Sequence, residues 1–264
     1  MNIYIINLLS EQGRAKFQEK QFDRLNLEFT RVNATSIDDI SSDTYQQVAF
    51  DWERPLSYPE VACYLSHRTV WQRVISEGQP ALILEDDAYV CDDLPMLLEE
   101  MSALKEHYIN IETRGRKKAL AGRAKRRIGE YKLRHLYYGG TGAAAYVLWP
   151  EGAEKLLQKE RQAGFALADA HICRTIMGKA WQLDYAAAIQ LDCCSAYNLK
   201  APYQTNSSLA KTRFATSVEP QGKINFKKRR LISQFRLAGT KLRAVFKGGR
   251  LAKVMPNTDR FNLL

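Results

Sequence analysis

Three consecutive acids, Glu85-Asp86-Asp87, follow the apolar run Ala81-Leu82-Ile83-Leu84. Such a run reads as a buried strand, and in open α/β sheets ligands sit beyond the carboxyl ends of strands. Carboxylates crowded at one point repel one another, so the arrangement calls for a positive partner. Carboxylate oxygens suit a hard divalent ion, Mn²⁺ or Mg²⁺, which also bridges the two phosphates of a nucleotide. Side chains alternate along an extended chain, so Glu85 and Asp87 face one way and Asp86 the other, and the first and third acids can reach one ligand. A solvated acidic turn that caps the next helix is the alternative.

Other residue types able to do chemistry stand on both sides of this triplet. Upstream, Glu60, Tyr64 and His67 lie at near-helical spacing, with Ser66 beside His67. Downstream, Asp169 and His171 stand in Ala168-Asp169-Ala170-His171. Asp169 reads as a general base or as a helix N-cap, and His171 as a fallback base, a metal or phosphate contact, or a half-buried helix histidine. Asn7 ends the first apolar run and is also a turn-forming type. Gly139-Gly140-Thr141-Gly142 lets backbone approach a sugar or phosphate, although it matches neither a P-loop nor a dinucleotide fingerprint. Tyr137 and Tyr138 beside it suit stacking on a sugar or ordinary packing.

The elements that must position these groups alternate in type. Asn2 to Leu8 reads as a strand buried on both faces, followed by a helix capped at Ser10 and running to about Leu25. A strand from Glu28 to Asn33, a helix from Glu60 to Glu77 stopped by Gly78 and Pro80, and the strand before the acids follow. Then come a helix from Leu94 to Lys105, a strand from Tyr108 to Glu112, a strand from Ala143 to Trp149, helices from Pro150 to Arg161 and Asp169 to Met177, and a strand from Tyr185 to Leu191. Alternation of this kind predicts an α/β sheet covered on both faces.

The chain has 264 residues, 45% hydrophobic and 26% charged, which excludes wholesale disorder. Its five cysteines are odd in number and show no C-x-x-C, so neither a disulfide framework nor a zinc module is expected and the thiols read as reduced and cytosolic. No apolar stretch reaches the roughly 18 residues of a membrane span, and the N-terminus lacks the basic flank of a signal peptide. The net charge of +10 is segregated: Arg114 to Arg134 carries ten Lys/Arg against Glu130 alone, and Lys223 to Lys253 carries eleven with no acid. Such surfaces seek phosphate, whether in nucleic acid, anionic lipid or a phosphorylated substrate. In the second block Leu231, Phe235, Ala238, Leu242 and Val245/Phe246 form an apolar stripe flanked by cations, the pattern of an amphipathic helix lying on an anionic membrane or docked on its own domain or a partner subunit. The first block reads as a loop interrupting the α/β alternation.

The run E-V-A-C-Y-L-S-H at residues 60–67, followed by A-L-I-L-E-D-D at 81–87, resembles glycosyltransferase family 25, the bacterial lipopolysaccharide and lipooligosaccharide galactosyltransferase-like group. Ile5-Ile6-Asn7-Leu8, Gly140 to Tyr146, Gly152 to Leu157, Asp169, and Gln204 with Ser207 and Ser208 are similar to further family segments, so the resemblance covers roughly residues 1–210. Ala62 replaces the family's usual glycine, and its arginine pair after the first strand is reduced to Arg14.

The resemblance implies a GT-A-like α/β nucleotide-sugar-binding fold over residues 1–210 with a central, mostly parallel sheet, followed by a basic helical tail over 211–264. It implies an inverting hexosyl transfer from a UDP-sugar, UDP-galactose first and UDP-glucose second, to a lipid-linked lipooligosaccharide acceptor at the inner face of the bacterial inner membrane. Asp87, helped by Glu85 or Asp86, would hold the metal; Asn7, Glu85, Asp86 and Thr141 would meet the donor. Asp169, with His171 as fallback, would be the base, while Glu60, Ser66, His67 and Gln204 serve the acceptor or the scaffold. The rivals are a nucleic-acid-binding protein built on the basic blocks, which leaves the three acids unexplained, and a nucleotidyltransferase, whose N-terminal phosphate loop is missing.

Overall fold

The computed structural model describes residues 1–139, 142–176, 178–204 and 223–262. The first strand, β1 (Asn2–Asn7), is followed by α1 (Gln12–Arg24), β2 (Thr30–Asn33), α2 (Ser42–Val48), α3 (Tyr58–Glu77) and β3 (Ala81–Glu85). After the acids come β4 (Ala88–Val90), α4 (Leu94–Ser102), β5 (Tyr108–Asn110) and β6 (Glu112–Thr113). The first basic block forms β7 (Lys117–Ala121), β8 (Arg126–Ile128) and most of β9 (Tyr131–Tyr138). The chain continues through β10 (Ala145–Leu148), α5 (Pro150–Ala163), α6 (Ala168–Ile176), β11 (Ala180–Asp184) and β12 (Ala188–Gln190), then α7 (Lys223–Phe246) and β13 (Gly249–Lys253).

The main sheet has the order β13-β7-β9-β11-β5-β10-β3-β1-β2, with β8 paired to β9. β1 pairs in parallel with both β2 and β3, and β5 with β11. β10 runs antiparallel between β3 and β5, and β9, β7 and β13 add on antiparallel in turn. Following these pairings, β2, β1, β3, β5, β11, β7 and β8 all point the same way, so the sheet is mixed but largely co-directional, with parallel pairing at its centre in β2-β1-β3 and β5-β11, in keeping with the GT-A-like expectation. A second sheet, β4-β12-β6, stands beyond the carboxyl end of β3.

Continuous apolar runs in β1 and β3 follow from burial on both faces. Ile3, Ile5, Leu82 and Leu84 enter one core with α4 and Phe22 of α1. Tyr4, Ile6, Ala81 and Ile83 enter the other with Val70, Trp71 and Val74 of α3. Helix α3 starts at a capping box, in which Ser57 and Glu60 exchange side-chain and backbone hydrogen bonds, and ends at Gly78, whose φ of 64° is the left-handed cap glycine allows.

Three expectations change. Helix α1 begins at Gln12 with Glu11, not Ser10, at its N-cap position. The Arg114–Arg134 block is sheet: Leu120, Ile128, Tyr131 and Leu133 bury while Arg126 and Arg127 stay exposed, an alternation that the turns at Gly122 and Gly129 hide in sequence. The strand read at Tyr185–Leu191 is the short β12, and the neighbouring Ala180–Asp184 forms β11, an interior strand of the main sheet. The expected boundary near residue 210 lies outside the described residues. Beyond it, β13 pairs with β7, Val254 and Phe261 are buried, and Tyr89 donates to the Asn262 carbonyl at 2.6 Å.

Candidate active site beyond the central strands

The three acids at the end of β3 are separated by their partners. Glu85 Oε1 lies 3.2 Å from His67 Nε2, and His67 Nδ1 lies 2.9 Å from the Tyr146 hydroxyl, which also accepts from Trp71 Nε1 at 2.9 Å. Asp86 is buried and receives Asn7 Nδ2 at 2.6 Å and Arg14 Nη1 at 3.0 Å. Burial raises its carboxyl, and Arg14 and Asn7 offset this only in part. Asp87 accepts from Gln190 Nε2 at 3.2 and 3.3 Å. Burial pushes Asp87 up to about 7, and the Glu85 and Asp86 carboxylates add to the rise.

The turn that carries these acids is clamped from α1. Gln18 Nε2 donates to the carbonyls of Asp86 and Ala88, both at 2.9 Å, and Gln21 bonds Ala88 O and Val90 N. Buried glutamines so placed satisfy backbone groups that a sharp strand-to-strand turn leaves unpaired.

A second wall is built by Glu112, the segment before β10, and Asp169. Ala144 connects it to the first: its carbonyl accepts from Glu85 N at 2.9 Å, and its N–H donates to Glu112 Oε1 at 3.0 Å. Glu112 Oε2 is buried with no partner among the described residues. Gly142, at φ +100°, sits so close that a Cβ there would lie 2.6 Å from Glu112 Oε1. The Gly142 N–H points to Asp169 Oδ2 at 3.4 Å, and Asp169 Oδ1 accepts from Ala170 N at 2.6 Å. Lys118, buried in β7, donates to Asn110 Oδ1, the Glu112 carbonyl and Gln182 Oε1 at 3.2, 3.1 and 2.6 Å. Burial raises the Glu112 carboxyl to about 8 against the attraction of Lys118, with Glu85 adding to the rise, and lowers the Lys118 ammonium to about 8.

Thus Asn7, Glu85, Asp86, Asp87, His67 and Asp169 meet around one region, together with Glu112, Lys118 and Gln190, which sequence reasoning did not single out. Glu112 carried a usable signal, being an acid at the end of an apolar strand like Glu85. Lys118 and Gln190 carried none.

The remaining residues hold other posts. Glu60 caps α3 and forms a two-bond pair with Arg54 at 2.7 and 2.8 Å; burial favours its neutral form, but Arg54 and the Ser57 N–H outweigh it and leave the carboxyl below its ordinary range. Ser66 bridges the Ala62 carbonyl and the Thr35 N–H at 2.8 and 2.9 Å. His171 is buried, stacks on Trp71 at 5.6 Å, and donates Nε2–H to the Leu156 carbonyl at 2.9 Å; burial lowers its pKa, so it packs as a neutral group against α3 and α5. Gln204 is exposed. Thr141, Ser207 and Ser208 lie outside the described residues.

Two donor sets share Glu85. Asp87 and Glu85 offer hard carboxylate oxygens, and the charge crowding that adds to burial in raising Asp87 is what a divalent cation would relieve. Mn²⁺ or Mg²⁺ therefore suits these residues. Glu85 also belongs to a softer group with Cys63 and His67, whose ligand atoms all lie within 4.8 Å of one another.

Comparison with known proteins places this geometry. The chain is 28% identical over 96 residues to a "Glycosyltransferase 25 family member" of Aedes aegypti, covering 33% of this chain and 16% of that one. It is 25% identical over 179 residues to the "Lipooligosaccharide biosynthesis protein lic2B" of Haemophilus influenzae, covering 64% and 63%. The match thus spans less than two thirds of either relative. Among solved structures, the inositol-1-phosphate CTP transferase from T. maritima is 12% identical, covering 83% of this chain and 98% of that one at a TM-score of 0.41. The family model described as "Glycosyltransferase family 25 (LPS biosynthesis protein)" matches residues 1–171 of the 264, from β1 through Asp169 and His171, and so takes in all three acids and the elements that hold them. With well over half of its length matched, the chain belongs to glycosyltransferase family 25.

Proposed function

We propose that the protein is an inverting, metal-dependent glycosyltransferase that moves a hexose, galactose first and glucose second, from a UDP-sugar to a lipooligosaccharide acceptor. One observation carries the reading: in a member of this family, the segment from Gly142 to Ala144 links the acids after β3 to a second carboxylate wall containing Asp169. The name of the Haemophilus relative, a lipooligosaccharide biosynthesis protein, supports the acceptor class.

Each role has a physical reason. Asp87 and Glu85 would hold a divalent cation, which when bound neutralises the departing diphosphate. Asn7, tied to Asp86 beside Arg14, sets the floor under the donor. Asp169 is the base for the acceptor hydroxyl: its carboxylate is half-buried and, among the described residues, accepts from the backbone N–H groups of Gly142 and Ala170. His67, fixed through Nδ1 by Tyr146, orients Glu85.

The tail supports action at a membrane surface. No helix among the described residues is long and apolar enough to cross a membrane. Helix α7 instead docks through Phe226, Ser233, Leu237, Thr240 and Ala244, and turns Leu231, Phe235, Leu242, Val245 and Phe246 outward, with exposures of 54 to 81%. An apolar stripe flanked by cations on an exposed helix suits the anionic face of the bacterial inner membrane, where a lipid-linked acceptor is found.

The test is UDP release from a panel of UDP-sugars with Mn²⁺, in wild type and Asp87→Ala. Release from UDP-galactose or UDP-glucose, lost in Asp87→Ala and on chelation, supports the reading. If no UDP-sugar is turned over, or if the variant stays as active as wild type and indifferent to chelator, the reading falls.

A further inference from the structure

The two basic blocks are far apart in the chain, and apart from Lys118, which is buried beside Glu112, neither reaches the acids after β3, yet the fold joins them. β13 pairs antiparallel with β7 from Gly249 opposite Ala121 to Lys253 opposite Lys117. Where this edge meets the end of α7 there is a cavity of about 790 Å³, within the range of small-molecule sites. Arg123 and Lys125 line it from the first block, Lys247 and Arg250 from the second, and His135 and Tyr137 of β9 lie between them.

The charge in this cavity is uncompensated. No acidic residue lines it. Nearby members of the first block are neutralised, Arg114 by Asp192, Arg126 by Glu106 and Arg134 by Asp184. Arg123, Lys125, Lys247 and Arg250 make no ion pair among the described residues. Lys125 and Lys247 stand close enough to His135 to help burial lower its pKa.

The walls are also built rather than frayed. His135 stacks parallel to Tyr137 at 5.7 Å and against Trp181 at 4.3 Å, and its buried Nδ1 has no hydrogen-bond partner among the described residues. The Gly122 N–H donates to the Gly248 carbonyl at 3.2 Å, where a Cβ on Gly122 would come within 3.3 Å of that oxygen, so glycine keeps the two blocks in contact.

Four cations that line one pocket without an acidic partner repel unless an anion joins them. A carboxylate brings one negative charge, whereas a phosphate monoester brings about 1.5 to 2 at pH 7 and accepts bidentate hydrogen bonds from a guanidinium. We infer that the cavity between β7, β9, β13 and the end of α7 is a binding site for a phosphate monoester or diphosphate group. Such a group is carried by a phosphorylated saccharide in solution or by a lipid headgroup. The inference does not rest on the transferase reading, because binding is measured without turnover.

Calorimetric titration with sodium pyrophosphate and with glucose 1-phosphate tests it, with chelator present so that no divalent cation bridges phosphate to the acids after β3. The cavity variants R123Q/R250Q and K125Q/K247Q are compared with K227Q/K228Q, which removes the same charge from exposed positions on α7. Vesicles of phosphatidic acid and of phosphatidylglycerol at equal surface charge form the second arm. Saturable binding of the soluble phosphates, weakened about tenfold per lost guanidinium in R123Q/R250Q and unchanged in K227Q/K228Q, supports the site with a saccharide phosphate as ligand. Preference for phosphatidic acid, lost in the same cavity variants alone, supports it with a lipid phosphate. Absence of binding in both arms, equal weakening by all three variants, or equal affinity for the singly charged galacturonate overturns the inference.

Discussion

Asp86 and Asp87 are adjacent in sequence and opposite in circumstance. Asp86 is closed in by Arg14 and Asn7, while the Asp87 carboxylate is bonded by the Gln190 amide, attracted more distantly by Arg14 and repelled by its acidic neighbours. Part of this was legible: the acid triplet suggested a ligand, and alternation set Asp86 apart from Glu85 and Asp87, although each of the three meets its own partner. Their partners were not legible, because Gln190, Arg14 and Gln18 approach from elements 68 to 103 residues away. At this scale Asp169 and His171 make contrasting predictions. Asp169→Asn lowers kcat by about 10²- to 10⁴-fold with donor affinity preserved, as expected for a lost base. His171→Ala removes a buried ring from its stack on Trp71 and lowers Tm, yet leaves kcat per folded molecule near wild type. Steady-state kinetics with thermal melts of both variants separate the two, and a normal kcat in Asp169→Asn shifts the base elsewhere.

Elements were easier to find where their pattern was pure. Strands β1 and β3 stood out because a two-faced core demands unbroken apolar runs, and helix α3 because its apolar residues recur at helical spacing up to the stop at Gly78 and Pro80; the capping box at Ser57 that starts it was not read. β7, β8 and β13 escaped because their exposed faces are basic and their apolar residues come singly, so the periodicity of two was diluted. That dilution hid Lys118, the buried cation of β7, and with it the reason Glu112 can be buried across the sheet. The pair predicts a pH signature. An unfolded glutamate titrates near 4.3, whereas Glu112 holds its proton up to about 8. Between those values the folded state binds more protons than the unfolded one, so this group makes unfolding easier as pH rises. Lys118 stays protonated in both states until about pH 8 and is silent in that window. Glu112→Gln copies the protonated form, and its Tm relative to wild type rises as pH goes from about 5 to 8. Melts at several pH values, without divalent cations, check the slope; a pH-independent difference refutes it.

For the molecule as a whole, the tail is where sequence and structure part furthest. The apolar stripe on α7 was legible from spacing alone, but the docking of residues 249–262 was not, since Gly249–Lys253 reads as a basic tail and becomes a strand only against β7. This changes how membrane attachment is tested. Deleting everything after residue 221 also removes β13 and the buried Val254 and Phe261, so loss of vesicle binding in such a truncation would be mixed with loss of fold. Point changes on the outward face avoid this. Phe235→Ser, Leu242→Ser and Phe246→Ser together sit at 70, 58 and 81% exposure, so they leave Tm within a few degrees of wild type. They remove most of the apolar area available to a bilayer while keeping every cation. Electrostatic attraction of about 1 kcal/mol per engaged Lys or Arg then remains, but it is screened within a Debye length. The triple variant therefore co-sediments with anionic vesicles at low salt and is released at 0.3 M salt, whereas wild type stays bound there through its apolar face. Equal release of both proteins would assign attachment to charge alone, and equal retention would place the membrane contact away from α7.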